Sequence, residues 1–295
     1  MKSIFRGSAT ALITTTNESG IDYDAYGKLI EWQISEGTDA LCVAVTTGES
    51  ATLSDTEQKE LISFAVDKVA GRVPVIAGTG SNNTQHAIEL SKYACEAGAD
   101  ALLVVTPYYN KCTQGGLVKT FSTIADAATK PLILYNVPSR TGLNIAPETY
   151  DKLADHGNIA GIKEANGNIS EIAETARLVG DRLDIYSGND DQIVPILSLG
   201  GKGVISVLAN VLPKQTSEMC KKFFDGDVKG ALDMQLRYLP LIHQLFCEVN
   251  PIPVKAAMAD LGFCENFVRL PLTVMTEAKH AVLKELLKAE GLKVN

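Results

Sequence analysis

The stretch Ile159-Ala160-Gly161-Ile162-Lys163-Glu164 places an amine at the end of a short apolar run. The run reads as a buried strand, with turn residues following at Asn166-Gly167. Desolvation at such a strand end disfavours the charged form of a lysine. An uncharged amine attacks a ketone and forms a Schiff base, an electron sink for carbon–carbon chemistry. The plainer fate of a strand-end lysine is to pair with a neighbouring carboxylate, here Glu164, or to extend to water. The residues that close the other apolar runs bear on the choice. Tyr135 closes one of them, and a phenol moves protons during imine formation when it has a hydrogen-bond partner. Thr46, Thr47 and Tyr109 stand at comparable positions and could complete a relay. Arg140 lies in a proline-containing turn, and a guanidinium fork suits a substrate carboxylate. Taken singly, these are core aromatics, strand threonines and a surface arginine. Glu49, after Gly48, suits the orientation of a loop better than acid catalysis.

These residues need a frame that brings strand ends together. Apolar runs at roughly 8–13, 39–46, 73–78, 100–106, 131–137, 158–163, 183–187 and 202–208 alternate with amphipathic stretches such as 56–70 and 82–97. Two strand entries resemble each other, Glu36-Gly-Thr-Asp-Ala-Leu41 and Ala97-Gly-Ala-Asp-Ala-Leu102, each a helix ending at glycine before a buried strand. Eight βα units predict a closed (β/α)8 TIM barrel, whose chemistry gathers at the C-terminal strand ends. An open doubly wound sheet is the alternative, but its Gly-rich dinucleotide fingerprint is missing. Gly78-Thr79-Gly80 reads as a turn before a helix cap at Ser81 or Asn82. Residues 227–247, 252–261 and 272–289 read as helices, the last with Val274, Ala278, Val282 and Leu286 on one side. The predicted organisation is a barrel over residues 1–224 and a C-terminal helical region, 225–295, packed on it.

Composition narrows the function classes. With 295 residues, 45% hydrophobic and 21% charged, the chain reads as globular. A net charge of −8, from 35 acidic and 27 basic residues, argues against general nucleic-acid binding. Arg6-Gly7 interrupts the place where a signal peptide needs an apolar core, and no apolar run approaches membrane-spanning length, so a cytoplasmic protein is expected. The six cysteines form no C-x-x-C and are expected to be reduced. The four histidines show no metal-ligand spacing, so no metal is expected.

Five motifs carry a resemblance across essentially the whole chain: Thr46-Thr47-Gly48-Glu49-Ser50, Thr106-Pro107-Tyr108-Tyr109-Asn110, Tyr135-Asn136-Val137-Pro138-Ser139-Arg140-Thr141-Gly142, Gly161-Ile162-Lys163-Glu164 and Asn250-Pro-Ile-Pro-Val-Lys255. The chain resembles the dihydrodipicolinate synthase (4-hydroxy-tetrahydrodipicolinate synthase) family of pyruvate-dependent aldolases, a superfamily that also holds N-acetylneuraminate lyase. The resemblance implies that Lys163 forms the Schiff base with pyruvate and that Tyr135 donates and accepts protons. It implies that Thr46 and Tyr109 complete the relay, with Tyr109 entering from a neighbouring subunit. Thr46 and Thr47 would hold the pyruvate carboxylate, and the backbone at Gly188 and Ile205 would line the site. Arg140 would meet the carboxylate of L-aspartate 4-semialdehyde. The sialic-acid lyases generally lack that arginine, which favours the synthase. No metal or nicotinamide cofactor is implied, and a homotetramer is. The competing readings are a related 2-keto-acid aldolase acting on another aldehyde, and a silent ligand-binding member, which would have lost Lys163 or Tyr135.

Three departures from the family pattern stand out. Val45 replaces the usual glycine; a valine adopts glycine-only backbone angles only with strain, so the carboxylate pocket is expected to be slightly reshaped. Asn110-Lys111-Cys112 lacks the usual proline, which is expected to loosen that loop. Lysine-inhibited members grip the effector with histidines and a glutamate; the matching positions here are Asp55, Gln58 and His86, alongside matching Asn82 and Tyr108. Lysine inhibition is therefore expected to be weak or absent.

Overall fold

A computed structural model describes residues 3–294. Eight parallel strands close into a barrel: β1 (Gly7–Ala11), β2 (Ala40–Val43), β3 (Val75–Gly78), β4 (Ala101–Val105), β5 (Leu132–Asn136), β6 (Ile159–Glu164), β7 (Asp184–Ser187) and β8 (Gly203–Ser206). Neighbours in sequence pair in space, and β8 pairs back to β1 in register Gly7↔Gly203 through Thr10↔Ser206. Each predicted run holds a strand. The run 39–46 stops early, at Val43, because Ala44 takes a left-handed φ of 53° and Thr46–Gly48 fold into a 3-10 turn. A short hairpin, Thr16–Asn17 with Gly20–Ile21, follows β1; its two-residue arms are too brief for an alternation signal.

Successive strand side chains point to opposite faces. One set, including Ala9, Ala11, Ala40, Cys42, Ala101, Tyr135, Tyr186 and Ile205, forms a buried cluster inside the barrel. The small residues of β1, β2 and β4 leave the interior volume to the two tyrosines and Lys163. The other set, including Leu41, Val43, Leu102, Leu134 and Ile162, packs with the helices in a second core.

The helices are α1 (Tyr23–Ser35), α2 (Asp55–Val69), α3 (Thr84–Glu96), α4 (Gln114–Ala127), the short α5 (Pro138–Thr141), α6 (Pro147–Leu153), α7 (Ile169–Val179), α8 (Ile193–Ser198), α9 (Pro213–Phe224), α10 (Val228–Leu245), α11 (Ile252–Asp260) and α12 (Glu277–Ala289). Helix α2 opens on a capping box between Ser54 and Glu57. Helix α3 is capped by Asn83, whose side chain accepts from the N–H groups of Gln85 and His86, and not by Ser81 or Asn82 as the sequence suggests. Helix α12 starts at Glu277, later than expected: Leu270 and Pro271 lie in a turn and residues 272–276 are not helical, and Leu283 and Leu287 are the helix's buried positions while Val274 and Val282 are exposed. Helix α11 is buried on nearly every side, from Ile252 to Met258. Among the described residues no helix is long and apolar enough to cross a membrane, and all six cysteines are free thiols.

Candidate active site

Strands β5 and β6 pair so that Tyr135 faces Lys163 and Asn136 faces Glu164. Alternation turns Lys163 and Tyr135 into the barrel, and Asn136 and Glu164 toward the helices. Lys163 is 4% exposed, and its Nζ lies 4.3 Å from the centroid of the Tyr135 ring. Pairing of Lys163 with Glu164 does not occur, because the carboxylate lies on the other face of the strand. There it accepts hydrogen bonds from Asn136 Nδ2 at 3.0 and 3.2 Å, Tyr150 Oη at 2.9 Å and the Asn166 N–H at 2.9 Å. Burial pushes the Glu164 carboxyl up to about 7, against the pull of those donors.

Gly161 makes the packing under this pair possible. A Cβ there would meet the Asp184 carbonyl oxygen at 2.9 Å and the Tyr186 ring at 3.3 Å. Tyr186, opposite Lys163 on β7, stacks on Phe5 at 4.2 Å and donates its hydroxyl to the Phe5 carbonyl at 2.9 Å. Burial pushes the Cys42 thiol of the same interior cluster up to about 12, with the nearby Lys163 charge acting the other way. Cys42 is a neutral, inert wall of the site.

At the rim, Thr46 and Thr47 sit on the 3-10 turn after β2, not on the strand. The turn is fixed from both sides: Thr14 Oγ1 donates to the Gly48 carbonyl at 2.7 Å, and Glu49 closes it in a left-handed conformation, φ 55°. Val45 is extended, at φ −109° and ψ −171°, so the strain anticipated for a valine at this point falls on Ala44 instead. Gly78 accommodates the valine: a Cβ on it would meet Val45 Cγ1 at 2.8 Å. Arg140, on α5, donates from Nη2 to the Asn250 carbonyl at 3.1 Å.

A cavity of about 450 Å³ opens here, and Thr46, Val137, Arg140, Asn250, Gln58, His86 and Tyr108 are among the residues that line it. Lys163 and Tyr135 are not among its lining residues. Val137, two positions past Tyr135, belongs both to the cavity lining and to the interior cluster that holds Tyr135. Gly188 is held by its N–H on the Glu164 carbonyl at 2.7 Å, and a Cβ on it would strike Ala165 at 2.8 Å. Ile205 is fully buried in the interior cluster. Asp190, just past Gly188, ties the ends of β7 and β8 by accepting from Ser206 Oγ and the N–H groups of Val207 and Leu208. Among the described residues no group of three or more His, Cys, Asp or Glu could hold a metal ion.

Tyr109 is set apart from these groups. It is 93% exposed, carries a left-handed φ of 68°, and is not among the cavity's lining residues. Its loop is tied despite the missing proline, since Asn110 Nδ2 donates to the Asn82 carbonyl at 2.9 Å. Partial burial raises the Cys112 thiol above its ordinary range, which does not suit a nucleophile.

Sequence reading alone missed how the C-terminal region braces the site. Glu49 is buried against Lys255, which is 0% exposed, with Nζ–Oε1 at 2.7 Å. The same Nζ donates to Thr16 Oγ1 at 2.7 Å, and Glu49 Oε2 accepts from the Arg269 N–H at 3.1 Å. The Arg269 guanidinium binds Glu57 and the Thr52 carbonyl, and holds the Glu57 carboxyl down at about 2. Asn250 Nδ2 donates to Thr47 Oγ1 at 3.1 Å. One sequence signal for these ties was the motif Asn250–Lys255 itself.

The geometry agrees with known proteins throughout its length. A profile of the Dihydrodipicolinate synthetase family matches residues 4–290. The chain is 56% identical over 289 residues to 4-hydroxy-tetrahydrodipicolinate synthase of Clostridium perfringens, covering 98% of this chain and 99% of that one. It is 54% identical over 290 residues to the same-named protein of a Thermoanaerobacter species, covering 98% of each. The crystal structure of dihydrodipicolinate synthase from Aquifex aeolicus superposes with a TM-score of 0.97 at 45% identity, covering 99% of this chain and 100% of that one. The chain belongs to the dihydrodipicolinate synthetase family.

Proposed function

We propose that this protein is a 4-hydroxy-tetrahydrodipicolinate synthase, a Schiff-base lyase that condenses pyruvate with L-aspartate 4-semialdehyde in the biosynthesis of diaminopimelate and lysine. The observation that carries the assignment of roles is the buried Lys163, turned away from Glu164 and 4.3 Å from the Tyr135 ring. The Lys163 amine adds to the keto carbon of pyruvate, and loss of water gives the imine. Loss of a methyl proton turns the imine into an enamine, whose carbon bonds to the aldehyde of the second substrate. The amine of that substrate then displaces Lys163 from the imine carbon and closes the ring, so one water is released in all. Tyr135 stands beside the amine and moves protons in these steps. Thr46 and Thr47 hold the pyruvate carboxylate, the backbone at Gly188 and Ile205 lines the site, and Arg140 offers its guanidinium to the carboxylate of the aldehyde. None of these steps calls on a metal or a nicotinamide.

Tyr109 completes the proton relay with Thr46 from a neighbouring subunit; its exposure supports this role, since a ring so placed serves no site of its own chain. The assembly is a homotetramer in the cytoplasm. The barrel spans 1–224 and the helical region 225–295, the latter closing on the site through Asn250, Lys255 and Arg269. Lysine inhibition is weak or absent: Asp55 and Gln58 take the places of gripping histidines and His86 that of the glutamate. His86 Nε2 is already paired with Asp55 at 3.0 Å, and Gln58 Nε2 with the Gly78 carbonyl at 3.0 Å.

The test is reductive trapping. Pyruvate and borohydride should leave a reduced adduct on Lys163, located by peptide mass spectrometry and absent from Lys163→Ala. Addition of aspartate 4-semialdehyde should then give the cyclic product. A folded protein that traps no pyruvate would overturn the assignment.

A further inference from the structure

Asn250 lies between α10 and α11, in sequence far from every strand, yet it lines the cavity and is 5% exposed. Its Nδ2 donates to Thr47 Oγ1 at 3.1 Å, and its main-chain carbonyl accepts from Arg140 Nη2 at 3.1 Å. Its Oδ1 is buried with no hydrogen-bond partner.

A threonine hydroxyl has one proton and can also accept. Thr47 Oγ1 accepts from Asn250, and among the described residues no protein group takes its proton. That proton remains for a ligand, and the incoming Nδ2–H polarises the O–H bond toward donation. The opposite orientation of the amide would draw the Thr47 proton onto Oδ1 and leave the hydroxyl unable to donate to an anion. We propose that Asn250 is a positioning residue for the pyruvate subsite: its side chain orients the Thr47 hydroxyl toward the substrate carboxylate, while its carbonyl fixes Arg140. The proposal rests on the roles given to Lys163, Thr47 and Arg140 above.

The experiment compares wild type, Asn250→Ala, Asn250→Asp and Thr47→Ala by steady-state kinetics, after borohydride trapping of wild type with pyruvate. Failure of wild type to trap would refute the functional reading rather than this one. With trapping established, Asn250→Ala should raise the KM for pyruvate about tenfold, the worth of one hydrogen bond. It should leave the KM for aspartate 4-semialdehyde within about twofold, because the main-chain carbonyl still meets Arg140, and should retain kcat at saturating pyruvate. Asn250→Asp should be worse by about a further tenfold, since its carboxylate both captures the Thr47 proton and repels an anion. Asn250→Ala combined with Thr47→Ala should be no worse for pyruvate than Thr47→Ala alone, as expected of a residue that acts through its partner. An unchanged KM for pyruvate, an equal rise for both substrates, or additive losses in the double variant would overturn the proposal. Should Asn250→Asp fail to fold, Asn250→Ala and the double variant decide.

Discussion

Glu164 offers a quantitative test of how the strand ends beside Lys163 and Tyr135 are held. It is 1% exposed and binds across to Asn136, the residue next to Tyr135. Burial raises its carboxyl from 4.5 to about 7. The direction matters for linkage. A carboxyl with a higher affinity for protons in the folded than in the unfolded chain favours folding while it is protonated. Its contribution is fully present below pH 4.5 and is lost as pH rises through about 7. The shift of 7 − 4.5 = 2.5 units corresponds to about 3 kcal/mol in all, and about 2 to 3 kcal/mol of it falls between pH 5 and 8.

Glu164→Gln removes the titration but keeps the packing. The Gln oxygen can still accept from Asn136 and the Asn166 N–H, and its amide can donate to the Tyr150 hydroxyl, which then accepts instead of donating. Urea unfolding of wild type and variant at pH 5 and pH 8 reads the difference directly. The variant should gain about 2 to 3 kcal/mol on wild type as the pH rises between those values. Parallel stability curves would mean that the folded chain holds Glu164 no more reluctantly as an anion than the unfolded one does. That result would refute the claim that desolvation outweighs the three donors around this carboxylate.

Three further outcomes are expected. Lys255→Met leaves the Glu49 carboxylate buried without its cation and should cost about 3–5 kcal/mol in denaturant unfolding; a cost under 1 kcal/mol would show that Glu49 finds other solvation. Lys163→Ala and Tyr109→Phe subunits, each with little activity alone, should regain part of it when unfolded and refolded together, because a mixed pair offers one site with both groups; no gain on mixing would place Tyr109 outside its neighbour's site. Lysine at millimolar concentration should leave the initial rate within about 20% of its value, and strong inhibition would show that Asp55, Gln58 and His86 form a competent effector site in another way.

The barrel was legible because its signal is periodic and local. Eight apolar runs separated by amphipathic stretches leave few ways to bury both faces of each strand. The alternation of β6 also removes the pairing of Lys163 with Glu164, since adjacent residues on a strand cannot share a face. Boundaries were less legible where a single backbone angle ends an element. Ala44 at φ 53° stops β2 two residues before Thr46, and nothing in an alanine announces that conformation. The start of α12 failed for a different reason. Val274 and Val282 fit a helical stripe in sequence, but the first precedes the helix and both are exposed, so the period matched without a core to receive it.

The ties that hold the rim were harder to read, because they join residues some two hundred positions apart. Lys255 and Glu49 are 206 apart, Asn250 and Thr47 are 203 apart, and no local pattern links either pair. A lysine in a helix reads as surface until the helix proves to be buried on every side, and α11 shows no amphipathic stripe that would expose it. That lack of a stripe is the overlooked signal. A short helix without a polar face, flanked by Asn250-Pro251 and carrying a lone lysine, needs a buried anion to meet the cation. Glu49 was the natural candidate, as an acid in an otherwise uncharged turn next to the threonines. The C-terminal helices are thus more than a covering for the barrel. Lys255 of α11 sets the position of Glu49, and the connections on either side of that helix set those of Thr47 and Arg140 through Asn250 and of the α2 cap through Arg269 and Glu57, so that several rim loops are referenced to the C-terminal region.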